Sequence, residues 1–343
     1  MRIAQIAPCW LRVPPDGYGG IEFVVSALTD ALVDRGHDVT LFAAGGSETK
    51  AELQSFYDAP LGEGAIETPI SEVPHLVAAY AQSEAFDVVH DHTTFGIGPS
   101  IGAQLRRPPV VHTLHAPASL CLPLLQTYEL IDPYVHFVAV SDSLRSHCPT
   151  LTYAATIYNG IPVERFPFSS EKDDYLLFVG RMCREKGPHL AIRAAQALGR
   201  RLLMGVKMHE AFERDFYESE IKDLLTPDVE ILGELSFDEK LEVFARASCT
   251  LMPVQWPEPF GLVAIESLAC GTPVVALRNG ALPETIEDGV TGFVAGDMDE
   301  FLTGVERAAS IDPATCRRTV EERFSVEAMT EGYERVFESV VRG

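Results

Sequence analysis

A chain of 343 residues is longer than one compact core usually supports, so two domains are expected. Its 46% hydrophobic and 22% charged residues exclude a disordered chain. With 27 Lys plus Arg against 50 Asp plus Glu, the formal charge is −23. That charge repels nucleic acid and anionic membrane in bulk, and it demands local cations wherever an anionic ligand is to bind.

Met1 leads straight into RIAQIA (2–7), which reads as a first strand and not as a signal peptide. The glycine-rich PPDGYGGIE (14–22) comes next and opens a helix, EFVVSALTDALVDRGH (22–37), with Gly36 placed to cap its end. Gly19 and Gly20 permit close backbone approach to a ligand, and the helix start offers N–H groups to an anion. A dinucleotide fingerprint would need glycine where Glu22 stands, and the second strand, DVTLFA (38–43), ends without an acid for a ribose. The loop therefore suits a phosphate or a sugar better than a nicotinamide dinucleotide. Residues 45–73 carry no assignable pattern.

FDVVH (86–90), PVVHTLH (109–115), HFVAV (136–140) and ATIYN (155–159) read as the remaining strands of the first half. His90, His92, His112 and His115 lie at the ends of two of them. Alternate residues of a strand face opposite sides, so four imidazoles are not expected to converge on zinc. His115 alone is expected to reach a ligand, with the others packed or hydrogen-bonded near it.

GIPVERFPFSSEKDD (160–174) lacks a helical period and reads as the joint, giving domains 1–165 and 166–324 and a terminal helix within 325–343. Beyond it come YLLFVG (175–180), RLLMG (201–205), VEILG (229–233), CTLMPV (249–254) and TPVVAL (272–277). Apolar strands that alternate with helices indicate two doubly wound parallel-sheet domains, whose ligands sit beyond the carboxyl ends of the strands. Arg181 stands directly past a strand and Lys186 five residues on, a pair that can bracket a diphosphate. EPFGLVAIE (258–266) places Glu258 in a loop for sugar hydroxyls and Glu266 two helical turns away for a ribose, with the N–H groups of Phe260, Gly261 and Leu262 facing phosphate. AFERDFYES (211–219) matches nothing assignable. Asp297 and Asp299 form a DxD pattern, which reads as a helix start with Asp297 as N-cap and not as a metal site. Seven scattered cysteines without a CxxC pair and the lack of ~18 consecutive apolar residues suggest a reducing, cytoplasmic setting.

The order GYGG, HTLH, GRMCREKG, EPFG with a second glutamate eight positions on, CGTPVVA and GALPE resembles family 4 of the retaining GT-B glycosyltransferases, over nearly the whole chain. The resemblance implies two Rossmann-like domains facing across a cleft, with the last helix bracing the first domain. It implies a hexose donor, UDP- or GDP-linked, and a saccharide, lipid-linked or small-molecule acceptor. No metal or other cofactor is implied. Gly19 and Gly20 would contact the donor diphosphate, Arg181 and Lys186 would neutralise it, and His115 would touch the sugar at its 6-hydroxyl and the adjacent phosphate. Glu258 would bind the 3- and 4-hydroxyls, Glu266 the ribose, and the backbone of Glu230, Ile231 and Leu232 the base. Neither nucleic acid nor a transmembrane segment is expected, peripheral membrane contact and oligomeric state being left open. A nucleotide-sugar epimerase, a phosphorylase of this architecture and a non-catalytic sugar-nucleotide sensor are the competing readings.

Overall fold

The computed structural model describes residues 1–62, 64 and 68–342; residues 63 and 65–67 of the unassigned 45–73 loop lie outside the described residues. The chain divides into two compact units, Met1–Gly160 with Val326–Gly343, and Ile161–Ser325.

Unit 1 is built on seven strands: β1 (Arg2–Ile6), β2 (Asp38–Phe42), β3 (Glu52–Gln54), β4 (Val88–Asp91), β5 (Val110–Leu114), β6 (Val135–Ala139) and β7 (Tyr153–Thr156). They pair in parallel in the order β3-β2-β1-β4-β5-β6-β7. Helices α1 (Gly20–Asp34), α2 (Val73–Tyr80), α3 (Ile97–Leu105), α4 (Ala118–Ile131) and α5 (Asp142–His147) connect them. Ile3, Leu41, Val88 and Val111 are fully enclosed, each worth about 1.5–3 kcal/mol of hydrophobic burial.

Unit 2 carries β8 (Tyr175–Arg181), β9 (Arg201–Lys207), β10 (Val229–Gly233), β11 (Cys249–Met252), β12 (Val274–Leu277) and β13 (Gly292–Ala295), in the order β10-β9-β8-β11-β12-β13. Its helices are α6 (Pro188–Leu198), α7 (Ala211–Phe216), α8 (Phe237–Arg246), α9 (Leu262–Ala269), α10 (Leu282–Thr285), α11 (Met298–Arg307) and α12 (Pro313–Arg323). The last helix, α13 (Val326–Arg342), belongs to unit 1, where it packs on α1. Glu334 of that helix binds Arg35 at 2.7 Å and His37 at 2.9 Å.

The strands track the apolar runs closely, with three differences. β3 is only three residues of half-buried chain and β13 four residues between turns, both too short to stand out as periodic runs. β7 starts at Tyr153, two residues before the expected ATIYN, and leaves the ladder after the Ile157 N–H reaches the Ala139 carbonyl at 2.9 Å. Asp297 accepts the Glu300 N–H at 2.9 Å and caps α11, the structural role its position suggests. All seven cysteines are buried free thiols, and among the described residues no helix is long and apolar enough to cross a membrane.

In both sheets the chain starts in the middle, winds outward one way, then returns to wind the other way. The reversal falls between β1 and β4 in unit 1, and between β8 and β11 in unit 2. At such a point the loops leaving the two strands diverge to opposite faces and leave a crevice past the strand ends, where ligands of open α/β sheets bind.

Candidate functional site

The residues expected to hold an anion and a polyol in unit 2 flank its reversal point. Arg181 ends β8, and Lys186 closes the tight turn beyond it, Arg184–Lys186. Glu258 lies in the loop after β11. Backbone hydrogen bonds stitch the two loops together, since the Gln255 N–H donates to the Glu185 carbonyl at 2.7 Å. Gly187 is required at this seam: its φ is +75°, and an added Cβ would sit 2.1 Å from the Pro253 carbonyl oxygen. That close approach lets Lys186 Nζ reach Glu258 Oε2 at 2.7 Å, with both side chains largely buried.

Trp256 completes the group. Its indole N–H donates to the same Glu258 oxygen at 2.7 Å, and Lys186 Nζ lies 5.0 Å from its ring centroid, within cation–π range. The loop after β12 presses on Glu258 from the other side. Ala281 N–H donates to the Glu258 carbonyl at 2.8 Å, and Asn279 Nδ2 donates to the Val254 carbonyl at 2.6 Å. Glu258 is therefore held through its backbone by one loop and through its carboxylate by another.

α9 starts at Leu262 with Gly261 as N-cap at φ +93°, so the positive end of its dipole lies beside Glu258. Phe260 is buried and packs edge-on to Phe324 at 5.9 Å, so its side chain anchors the helix start. Glu266 is buried on α9 and bound to Lys240 of α8 at 2.7 Å. Glu230, Ile231 and Leu232 occupy β10, the edge strand, where Glu230 pairs with Arg201 at 2.7 Å on the surface.

Five residues around this site escaped the sequence reading. Lys207 ends β9 directly beside Arg181 in register, buried, with Glu213 at 3.9 Å. A cation just past an apolar strand is the same signal that marks Arg181, so it was available. The unassigned AFERDFYES stretch supplies that counter-charge: Glu213 is the far half of a capping box with Glu210 at the start of α7. Trp256, Lys240 and Asn279 carried no signal, because their partners are set by topology.

In unit 1, Gly19 is the N-cap of α1 at φ +151°, packed so that a Cβ would meet Pro15 at 2.7 Å, and Gly20 is the first helical residue. The histidines differ in part from expectation. Period-two alternation puts His112 on one face, 3.1 Å from the Asp91 carbonyl, and His90, His92 and His115 together on the other. His92 Nδ1 and His115 Nε2 are 2.9 Å apart, and the His90 and His92 rings lie 3.9 Å apart. Three of the four thus converge, because positions 90, 92 and 115 share a face and two of them lie just past their strand ends. Tyr333 and Phe337 of α13 cover this face, at 4.6 and 5.3 Å from the His90 ring. Burial pushes His90 and His92 well below the usual imidazole range, and burial followed by His112 lowers His115 to about 3.

The profile of the family described as glycosyl transferases group 1 matches residues 162–322, and that of glycosyltransferase family 4 matches residues 18–165. Together they span residues 18–322, so the second half of the chain is of the group 1 glycosyltransferase type and the first half of the family 4 type. It is therefore a glycosyltransferase of the GT-B fold, with two Rossmann-like doubly wound sheets. It is 29% identical to a glycogen synthase of Mycobacterium tuberculosis (strain CDC 1551 / Oshkosh), over 93% of this chain and 88% of the relative. It is 26% identical to a D-inositol 3-phosphate glycosyltransferase of Acidothermus cellulolyticus, over 87% and 80%. Among solved structures it resembles AviGT4, a glycosyltransferase involved in avilamycin A biosynthesis, with a TM-score of 0.75 at 25% identity over 100% and 98% of the chains. Anabaena Alr3699/HepE, solved with UDP and glucose, shares the fold at a TM-score of 0.78 and 21% identity, over 99% and 100%.

Proposed function

We propose that this glycosyltransferase transfers a hexose from a UDP- or GDP-sugar to a saccharide, lipid-linked or small-molecule acceptor, with retention of anomeric configuration and without a metal. The observation that carries the reading is the Lys186–Glu258 ion pair beside Arg181 at the β8/β11 reversal. A cation–carboxylate pair at a ligand crevice can be exchanged for a ligand that carries an anion for the one and hydroxyls for the other, and a nucleotide-diphosphate sugar carries both.

Arg181 and Lys186 are assigned to the diphosphate, Glu258 to the sugar hydroxyls, Glu266 to the ribose and the β10 backbone from Glu230 to Leu232 to the base. The start of α9 at Phe260, Gly261 and Leu262 adds dipole stabilisation to the phosphates. From unit 1, the family resemblance assigns Gly19 and Gly20 to the diphosphate and His115 to the sugar. The bond between the anomeric carbon and the phosphate oxygen breaks with its electron pair passing to the diphosphate. The acceptor hydroxyl oxygen bonds to the same face of that carbon, and its proton goes to the departing phosphate oxygen. Charge builds on the diphosphate, so fixed cations there supply the main stabilisation. Two cations and a helix dipole meet that charge, and this supports a metal-free reaction.

A thermal-shift panel of UDP-, GDP- and ADP-sugars, each with EDTA and with Mg²⁺, tests the reading. At 100 Kd a bound donor stabilises by about 2.7 kcal/mol. One donor class is expected to raise Tm equally under both conditions. A shift that appears only with Mg²⁺ contradicts metal independence, and no shift with any nucleotide sugar contradicts the donor site. NMR of the responding donor should show no isomer without an acceptor; an isomer would mark an epimerase.

A further inference from the structure

Trp256 and Glu258 lie on one clamped stretch of the loop after β11. The Val254 carbonyl accepts from Asn279 Nδ2 at 2.6 Å, and the Gln255 N–H donates to the Glu185 carbonyl at 2.7 Å. At the far end the Glu258 carbonyl accepts from the Ala281 N–H at 2.8 Å. Pro257 and Pro259 have fixed φ and narrow the backbone choices of Trp256 and Glu258 before them. The indole N–H and the carboxylate therefore meet on a backbone that does not depend on the Lys186 side chain. Lys186 Nζ and Trp256 Nε1 each lie 2.7 Å from Glu258 Oε2. Among the described residues none is hydrogen-bonded to Oε1, the oxygen left for a ligand.

The two donors on Oε2 differ in charge and in freedom. Lys186 carries a full charge on a flexible four-carbon stem, so an incoming diphosphate draws it away. The indole is neutral and turns on only two side-chain torsions, so it stays behind. Glu258 is only 8% exposed, and a carboxylate that loses its cation in such a place needs a donor to remain ionised and oriented. The Trp256 N–H supplies one without adding a second charge that would hold the diphosphate or the carboxylate too tightly.

We propose that Trp256 is a positioning residue that holds Glu258 Oε2 while Lys186 passes from the carboxylate to the donor phosphate, leaving Oε1 to the sugar hydroxyls. This rests on the assignments of Lys186 to the diphosphate and Glu258 to the sugar. In this role Trp256 acts through Glu258 and touches neither the phosphate nor the reacting carbon. The cation and the carboxylate neutralise each other in the ligand-free protein and separate without leaving a buried charge bare.

The chain has two tryptophans, so a ¹H–¹⁵N spectrum of the full chain shows two indole resonances, assigned by the loss of one in Trp10→Phe. The Trp256 resonance should lie at a downfield, hydrogen-bonded position and stay there when the nucleotide sugar that raises Tm is added. In Glu258→Leu it should move upfield. A resonance that ignores Glu258→Leu overturns the proposal, and so does a wild-type resonance that moves upfield on donor binding. Donor affinity is the second readout. Trp256→Phe keeps a ring against Lys186 and removes the N–H. It should weaken binding of the nucleotide sugar about ten- to hundredfold, the worth of a hydrogen bond to a charged group. In the Glu258→Leu background the same change should cost about twofold at most, because no carboxylate is left for the N–H to hold. Equal losses in both backgrounds would mark a general structural role and overturn the proposal. If no nucleotide sugar binds, the donor assignment fails, while the response of the indole resonance to Glu258→Leu still decides whether Trp256 holds Glu258.

Discussion

Arg181→Ala is expected to lower kcat by about 10²- to 10³-fold, the cost of losing one preorganised donor to a developing charge. The expectation rests on where the residue stands. Arg181 is the last residue of β8, held in register against Lys207 on one side, and β8 neighbours β11 at the reversal. Its backbone is thus fixed before any ligand arrives. A charge positioned before the reaction stabilises a developing charge without reorganising at that moment. The background field makes the effect larger, because a chain of charge −23 offers no diffuse attraction to replace it. KM for the donor should change less than kcat. Arg181→Lys should recover part of the loss, since a point charge lacks the planar fork. Near-normal turnover in the alanine variant would remove Arg181 from the mechanism.

Gly280→Ala carries the second large effect, although it removes no functional group. Gly280 has φ +58°, and an alanine Cβ there would sit 2.2 Å from both the N and the O of Glu258. The Glu258 backbone must shift, and with it the carboxylate that holds Lys186 and Trp256. A displacement of about 1 Å at a reacting centre can cost about 10²-fold in rate. Left-handed strain adds roughly 1–2 kcal/mol, a fall in Tm of several degrees for a unit of this size. Gly289→Ala separates the two contributions, because Gly289 has φ +74° with nothing within 4 Å of its would-be Cβ. It should lose stability and keep its turnover. If Gly280→Ala kept its turnover as well, Glu258 would not be the residue whose position sets the rate.

The two-sheet architecture was legible because its strands are buried on both faces and read as unbroken apolar runs, as in YLLFVG and TPVVAL. Once the strand ends were located, the residues just past them were legible too. Of the residues expected at the site from those positions, the structure brings Lys186 to Glu258. The ion partners were not. Lys240 sits on an amphipathic helix where lysine is the ordinary solvent-facing residue, and only the packing of α8 beside α9 gives it to Glu266. Gly280 and Asn279 act through a loop that is adjacent only once β12 lies beside β11. The histidines show the limit of strand alternation most clearly. Period two correctly separates His112, but the meeting of His92 with His115 depends on register between β4 and β5, which no single strand encodes.

The most direct test of the central claim is a crystal structure of the protein soaked with the nucleotide sugar that raises its Tm most. The diphosphate should lie within hydrogen-bond distance of Arg181 and Lys186, with Glu258 on sugar hydroxyls, Glu266 on the ribose and no metal between the phosphates. Lys186 should have exchanged Glu258 for phosphate oxygen. A donor bound elsewhere, or one bound here with a metal ion bridging its phosphates and Lys186 still paired to Glu258, would contradict the account.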